Sequence, residues 1–256
     1  MQCVIDKNVL RNRGNRLKQF LDEGHQAIII DEILVESFKS NDPYGTIAED
    51  FKILKHYPQS VFTTYSRSEL FRKELETGRP SLPHEIICTE YTDTLRSLLT
   101  LDDTQLREKI YEDAKHATTL IDDNSYFSEE FIRGLLIKNI DLDWKSLKTD
   151  KHLIHETIKK ASLSTTKQLL LKQGKAPFVF DDFIYTKSMI YIVIYALIWD
   201  LVRWGIKRGF ESAKHKVISA DGFDLRYIAL SCYFDGLLTN ERWLEECRES
   251  TLLSYA

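Results

Sequence analysis

Residues 1–32, MQCVIDKNVLRNRGNRLKQFLDEGHQAIIIDE, decide the fold class. Two short apolar runs, Cys3–Ile5 and Ala27–Ile30, are each followed by an acidic residue and predict buried strands. Between them, Arg16–Glu23 has its apolar residues on one helical face. A strand, a helix and a second strand within so short a stretch predict a βαβ unit and therefore a parallel sheet.

The C-terminal end has the same pattern. Lys216–Ser219 and Gly236–Thr239 predict strands, and each is followed by a predicted helix, at Asp224–Tyr233 and at Asn240–Glu249. One more strand is expected at Ser60–Thr63. Short strands and helices that alternate at both ends favour one α/β domain assembled from the two termini.

The segment between the two ends is predicted to be mostly helical. We therefore expect an α/β fold, a three-layer open parallel sheet with a large helical insertion. Residues 1–70 and 215–256 would form the α/β core, and residues 71–214 the insertion packed on it. Two details complete this prediction, a helix at Ala48–His56 and a strand at Glu85–Thr89.

The composition is that of an ordinary soluble protein. Of its 256 residues 43% are hydrophobic and 29% charged, which excludes disordered and collagen-like chains. The four cysteines are far apart, so they exclude a disulfide scaffold or a closed zinc site, and a cytoplasmic location is expected. No signal peptide is expected. The apolar run Met189–Trp199 is shorter than the ~20 residues of a membrane span, so it predicts a buried helix and no membrane partner.

Charge is unevenly distributed along the chain. The net charge of −4 argues against bulk attraction to nucleic acid. Residues 7–18, however, carry five basic and no acidic side chains, 85–130 sum to about −8, and 145–175 sum to about +6. Such blocks are either solvated helix faces or a basic rim that follows a phosphate backbone, and both interpretations stay open.

Acidic residues follow the predicted strands. Asp6 comes directly after the first strand, Glu36 lies on the helix after the second, Asp221 and Asp224 follow the fourth, and Glu241 follows the last. Because ligands bind at the carboxyl ends of parallel strands, we expect these carboxylates to converge at one edge of the sheet. Carboxylate oxygens in such a cluster suit Mg²⁺ or Mn²⁺.

Each of these acids also has a simpler interpretation. Asp6 is a typical turn residue at a strand exit, and Glu36 is compatible with a solvent-facing position on its helix. Asp224 suits the start of a helix as its cap, and Glu241 complements a helix dipole. Their common location at strand ends, rather than any one residue, favours the metal site.

Four stretches resemble the motifs of the PIN-domain nuclease family. Val4–Leu10 (VIDKNVL) is similar to the family's first strand, which ends in Asp followed by x-Asn. Ile33–Glu36 (ILVE) resembles its second acidic motif, and Asp224–Ala229 (DLRYIA) its third. Cys232–Glu241 (CYFDGLLTNE) resembles its closing strand and turn, with Glu241 where the family places Asp.

The resemblance implies a metal-dependent nuclease that hydrolyses phosphodiester bonds, of RNA first and of DNA second, with Mg²⁺ or Mn²⁺ as its cofactor. In a prokaryote it would suit a toxin or defence effector with an inhibitor or partner protein. The implied catalytic metal ligands are Asp6, Glu36, Asp224 and, as a weaker fourth, Glu241. The implied reserve ligands are Asp221, Asp235 and Asn240. For Asp221 and Asp235 a purely structural role is the alternative. The side chains implied to hold nucleic acid are Asn8, Arg11, Arg13, Arg16, Thr239, Lys159 and Lys160.

Two rival interpretations stay open. In the first, the fold is the same but the acidic site has decayed, and the helical insertion docks a partner protein; Glu241 and the charge separation favour this. In the second, the termini do not pair and the chain is an unrelated helical protein. Within the insertion, the aromatic segment Tyr185–Trp204 is either core packing or a base-stacking platform, and Asp200 and Arg203 have the spacing of a helical ion pair.

Overall fold

The computed structural model describes residues 1–11, 15–38, 40–120, 150–172, 186–208 and 224–254. Within them, four strands form one sheet in the order β3-β2-β1-β4, and every pairing is parallel. The strands are β1 (Gln2–Ile5), β2 (Gln26–Ile29), β3 (Val61–Thr63) and β4 (Gly236–Leu238). The α/β class and the parallel sheet predicted from the sequence are therefore confirmed.

Helices make up most of the remaining described chain. Those before residue 121 are α1 (Lys7–Arg11), α2 (Arg16–Asp22), α3 (Asp31–Phe38), α4 (Pro43–Asp50), α5 (Arg67–Thr77), α6 (Pro83–Ile86), α7 (Thr89–Thr100) and α8 (Asp103–Leu120). Those after it are α9 (Lys151–Lys172), α10 (Met189–Arg208), α11 (residues 224–231) and α12 (Arg242–Leu253).

The four strands start and end within one residue of the apolar runs that predicted them. Each run is short and almost wholly buried, as expected for strands covered on both faces. The additional strand predicted at Lys216–Ser219 lies outside the described residues. The sheet is compatible with a three-layer fold.

The prediction of a strand at Glu85–Thr89 is wrong. Pro83 begins α6, and the Glu85 carboxylate accepts a hydrogen bond of 2.9 Å from the Leu82 backbone N–H, which stabilises a helical turn there. Only Ile87 pairs as in a sheet, in an isolated antiparallel bridge to Thr64. The local capping interactions therefore override the apolar pattern.

The helix predicted at Ala48–His56 is displaced. α4 begins earlier because the Asp42 side chain accepts a hydrogen bond of 3.0 Å from the Gly45 N–H, and because Pro43 suits the first helical turn. It ends at Asp50, and the predicted segment continues only as a 3₁₀ turn, Leu54–His56.

The chain divides into two compact units. The first comprises Met1–Glu69, Leu82–Ser125 and Tyr233–Asn240, and it contains the whole sheet. The second comprises Leu70–Ser81, Tyr126–Cys232 and Glu241–Ala256, and its described part is helical. The division of the sequence into an α/β core and an insertion stays a prediction.

The second unit has a nearly all-apolar helix as its core. Met189 to Ile198 of α10 are each 8% exposed or less, as predicted for a buried helix. It is the one described helix long and apolar enough to cross a membrane, but most of it is buried within the protein, which is consistent with a soluble protein. The predicted pair in this helix is present, since both Nε and Nη2 of Arg203 donate to Asp200 Oδ1, at 2.9 and 2.6 Å.

Candidate metal site at the carboxyl edge of the sheet

Asp6 lies where β1 ends and α1 begins. Its backbone N–H continues the sheet, donating to the Leu238 carbonyl of β4 at 3.0 Å. Its own carbonyl accepts from the Val9 N–H at 2.9 Å and so opens α1. The backbone therefore fixes the Asp6 side chain at the carboxyl edge of a central strand, which is the edge where parallel sheets bind ligands.

The Asp6 carboxylate is buried and its orientation is fixed. The residue is 2% exposed. Its Oδ2 accepts a hydrogen bond of 2.6 Å from the hydroxyl of Thr239, which is 1% exposed, and its Oδ1 accepts one of 3.2 Å from the Asn8 N–H. A carboxylate held in this way by neighbouring donors is typical of those that ligate metals.

Four of the residues predicted to surround the site are brought together at this edge. Besides the contacts of Asn8 and Thr239 with Asp6, the Thr239 carbonyl accepts a hydrogen bond of 2.6 Å from Arg16 Nη1. The Asn240 side chain is 3.5 Å from the Asn8 carbonyl. Asn8, Arg16 and Asn240 are exposed, so a polar and basic rim lies next to the buried carboxylate.

Glu36 lies on the neighbouring element of the same unit. α3 begins directly after β2, with the Ile33 N–H donating to the Ile30 carbonyl at 3.1 Å, and β2 pairs with β1. Glu36 follows five residues into this helix, about 7.5 Å along its axis. Its side chain lies outside the described part of the chain, and so do Arg13 and Asp221 entirely.

Asp224 and Glu241 belong to the second unit. Asp224 is the first described residue of α11 and is half-buried. Glu241 precedes α12, where its carbonyl accepts from the Leu244 N–H at 3.0 Å. Its Oε2 accepts a hydrogen bond of 2.5 Å from Trp243 Nε1, so this carboxylate is already engaged with an indole.

Asp235 has the contacts of a structural residue. It precedes β4 and exchanges two hydrogen bonds with Gln2 at the start of β1, from the Gln2 N–H to its Oδ2 at 2.7 Å and from its own N–H to the Gln2 carbonyl at 2.9 Å. β1 separates Gln2 from Asp6 by roughly 13 Å at the usual rise per residue. This placement favours the structural role over the role of a reserve ligand.

Sequence reasoning did not find the residue that holds Arg11. Arg11 donates from Nε to Asp50 Oδ1 at 2.7 Å and from Nη2 to Asp50 Oδ2 at 3.4 Å. Asp50 also accepts a hydrogen bond of 3.1 Å from the Ser37 hydroxyl, at Oδ2. No motif signals this contact, because Asp50 is 39 residues from Arg11 in the sequence.

The predicted basic surface of the insertion is described in part. Lys159 and Lys160 lie on α9, the first half-exposed and the second exposed. On the same helix, His155 Nδ1 is 2.8 Å from the Tyr195 hydroxyl, so this histidine packs against α10 within the second unit. His152 lies on the same helix and is exposed.

Asp6 supplies one carboxylate to the predicted ligand group, and carboxylate oxygens are ligands that hard divalent cations prefer. Among the described side chains, no three of the His, Cys, Asp and Glu types lie close enough together to hold a metal ion. Glu36 and Asp221 are not among those side chains, so the predicted ligand group stays a prediction. What Asp6 does have is an all-oxygen ligand with fixed orientation.

No family model, curated protein or solved structure matches this chain. The likeness to PIN-domain nucleases therefore depends only on the four stretches in which the resemblance was found, and membership of that family stays a prediction.

Proposed function

We propose that this protein is a cytoplasmic Mg²⁺- or Mn²⁺-dependent nuclease with a PIN-like fold, and that it hydrolyses phosphodiester bonds in RNA. DNA is the second substrate class. The proposal combines the order of the four sequence motifs with the position of Asp6 in the first unit.

The observation that carries the proposal is the hydrogen bond of 2.6 Å from Thr239 Oγ1 to Asp6 Oδ2. It joins the ends of two adjacent parallel strands that are about 230 residues apart in sequence, at the edge used for ligand binding. The two residues come from the first and the last motif of the resemblance.

Asp6 and Glu36, which both belong to the first unit, would hold the metal. The resemblance also implies Asp224 and Glu241 as ligands. Such a cation supplies charge stabilisation at the phosphate and lowers the pKa of the attacking water. The rim of Asn8, Arg16 and Asn240 would bind the sugar-phosphate backbone, and Arg16 adds a positive charge there.

Cleavage of labelled single-stranded RNA and DNA with Mn²⁺ tests the proposal. Wild type should cut RNA, and Asp6→Asn and Asp224→Asn should each lose at least 100-fold in rate. Asp22→Asn, an exposed carboxylate of α2 paired with Lys18, is the matched control and should cut like wild type. Absence of Mn²⁺-dependent cutting by wild type, with no Mn²⁺ binding by calorimetry, contradicts the proposal.

One contact favours a second candidate, a non-enzymatic interaction protein with a decayed site. Glu241, the residue that departs from the family pattern, has its carboxylate bound to Trp243. If Glu241→Gln, which removes the charge of the carboxylate, leaves wild-type cutting unchanged, Glu241 has no part in the metal site. If wild type neither cuts nor binds Mn²⁺, the interaction protein becomes the better interpretation.

A further inference from the structure

Asp50 is a buried charged residue in the unit that carries Asp6. It lies at the end of α4, is 1% exposed, and is bound by the Arg11 guanidinium in a two-point contact. The Ser37 hydroxyl, on a side chain that is fully buried, lies 3.1 Å from Asp50 Oδ2 and 2.8 Å from the Ile33 carbonyl, and these two acceptors share its one proton. A carboxylate buried so deeply is stable only with such partners.

The partners of Asp50 come from two helices of this unit, one that begins directly after the predicted ligand Asp6 and one that contains the predicted ligand Glu36. Arg11 ends α1, which begins directly after Asp6. Ser37 follows Glu36 directly on α3. One side chain of α4 is therefore bonded to both helices, and charge-assisted bonds of this kind resist displacement more than neutral ones.

We infer that Asp50 is a positioning residue of the proposed metal site, which fixes α1 against α3 and thereby the spacing of Asp6 and Glu36. This inference depends on the proposed function. Magnesium requires near-ideal geometry with ligand distances of about 2.1 Å, so a shift of either helix by a fraction of that length weakens binding. Two carboxylates that converge also repel each other before the cation binds, and a rigid tie between their helices opposes that repulsion.

The pairing changes the role of Arg11. Its side chain is half-exposed, whereas that of Asp50 is 1% exposed, so the guanidinium covers the buried carboxylate from the solvent side. Arg11 was predicted to hold nucleic acid. Its contact with Asp50 gives it a positioning role that does not require nucleic acid at all.

Calorimetric Mn²⁺ binding by Asp50→Asn tests the inference. Asparagine keeps the shape of the side chain but removes its charge and one of its acceptor atoms. We expect Mn²⁺ to bind about 10–100-fold more weakly, the usual loss when a residue that orients metal ligands is replaced. Ser37→Ala, which removes only the hydroxyl contact, should weaken binding several-fold. Asp22→Asn should bind Mn²⁺ as wild type does.

The thermal midpoint separates positioning from general stability. If Asp50→Asn melts lower but binds Mn²⁺ with wild-type affinity at a temperature where it is folded, Asp50 is structural only and the inference is wrong. If Asp50→Asn does not fold, Ser37→Ala decides by the same comparison. If wild type itself binds no Mn²⁺, the proposed function and the inference both fail, whereas wild-type binding with unchanged variants overturns the inference alone.

Discussion

The two units bury carboxylates in different settings. In the first, Asp6 is held by the Asn8 N–H of its own turn and by the Thr239 hydroxyl of the adjacent strand. In the second, Glu74 of α5 is 2% exposed and accepts two backbone N–H groups, from Ser81 to Oε1 and from Met189 to Oε2, both at 2.8 Å. The two carboxylates are therefore buried to the same extent but by different kinds of contact.

The difference lies in what each carboxylate joins. Glu74 binds the N–H that begins α10, a donor that the helix itself leaves without an intrahelical partner, and a negative charge there also complements the helix dipole. Its contacts explain its burial completely. Asp6 lies instead at the end of a strand, beside an exposed polar rim. Burial alone therefore does not indicate that an acid is functional. Its position matters as well, and the carboxyl edge of a parallel sheet is a position where ligands bind.

The largest expected effect comes from Glu74. Glu74→Ala leaves two buried backbone donors unsatisfied, and at about 1–3 kcal/mol for each we expect a loss of roughly 2–6 kcal/mol in the free energy of unfolding. Urea unfolding measures this loss. Mn²⁺ binding by the folded fraction should be unchanged, because the contact serves the second unit only.

The control for Glu74 lies on the same helix. Glu76 is exposed on α5, and Glu76→Ala should unfold at the wild-type urea concentration. Should Glu74→Ala be too unstable to purify, Glu74→Gln keeps one acceptor oxygen and should lose about half as much stability. If Glu74→Ala unfolds at the same urea concentration as Glu76→Ala, the two hydrogen bonds of Glu74 do not stabilise the fold, and the difference drawn between Glu74 and Asp6 is wrong.

Replacing Thr239 should change stability less than replacing Glu74 does, but it should also weaken Mn²⁺ binding. Thr239→Val keeps the shape of the side chain and removes the hydroxyl that orients Asp6, so we expect a loss of about 1–3 kcal/mol in the free energy of unfolding. Mn²⁺ affinity should also fall roughly 10–100-fold, which Glu74→Ala should not cause. Calorimetry and urea unfolding of the same samples give both values.

Thr239→Ser supplies the matched control, since it retains the hydroxyl. It should recover most of the Mn²⁺ affinity that valine loses. A valine variant that binds Mn²⁺ as tightly as wild type would mean that the hydrogen bond to Asp6 is structural, as the two bonds of Glu74 are.

The sequence predicted the strands better than the helices. Cys3–Ile5 and Ala27–Ile30 are apolar runs too short for a helix, and each is followed by an acid. The sequence therefore predicted both that they are strands and where each strand ends. The region Glu85–Thr89 also contains three consecutive apolar residues but forms no strand, because Pro83 and one side-chain contact of Glu85 stabilise a helical turn that ends at Ile86. A single hydrogen bond between one side chain and one backbone N–H leaves no repeating pattern in the sequence, so it cannot be predicted from periodicity.

The part of the candidate site that adjoins the strands could be predicted because the strands themselves could be predicted. Asp6, Asn8 and Thr239 adjoin strand ends, and the pairing of β1 with β4 brings them together. Asp50 and Glu74 were missed because their partners are distant in sequence and because buried acids on helices resemble solvated ones when only the sequence is known. Tertiary packing, rather than local pattern, decides which acids are buried.

The smallest expected effect concerns pH and the second unit. His155 Nδ1 is bonded to the Tyr195 hydroxyl, which is also 2.9 Å from Ser250 Oγ. Burial lowers the pKa of His155 below its ordinary 6.5; nearby Lys159 lowers it further, while Glu156 opposes the shift. Because the unfolded chain then binds this proton more readily than the folded one, stability is present above about pH 6.5 and is lost as the pH falls through that value towards the lower folded pKa.

We therefore expect the urea midpoint of wild type to be lower at pH 5.5 than at pH 7.5, and His155→Gln to reduce that difference. His152 also lowers the pKa of His155, so the exposed His84 on α6 is the control, and His84→Gln should keep the wild-type dependence on pH. The effect is small because His155 is only partly buried, so water stabilises part of its charged form. If His155→Gln and wild type lose the same stability between the two values of pH, the contact with Tyr195 does not control the protonation of His155. Mn²⁺ binding should not follow this titration, because His155 is not one of the ligands that we propose for the metal and its contacts are with Tyr195.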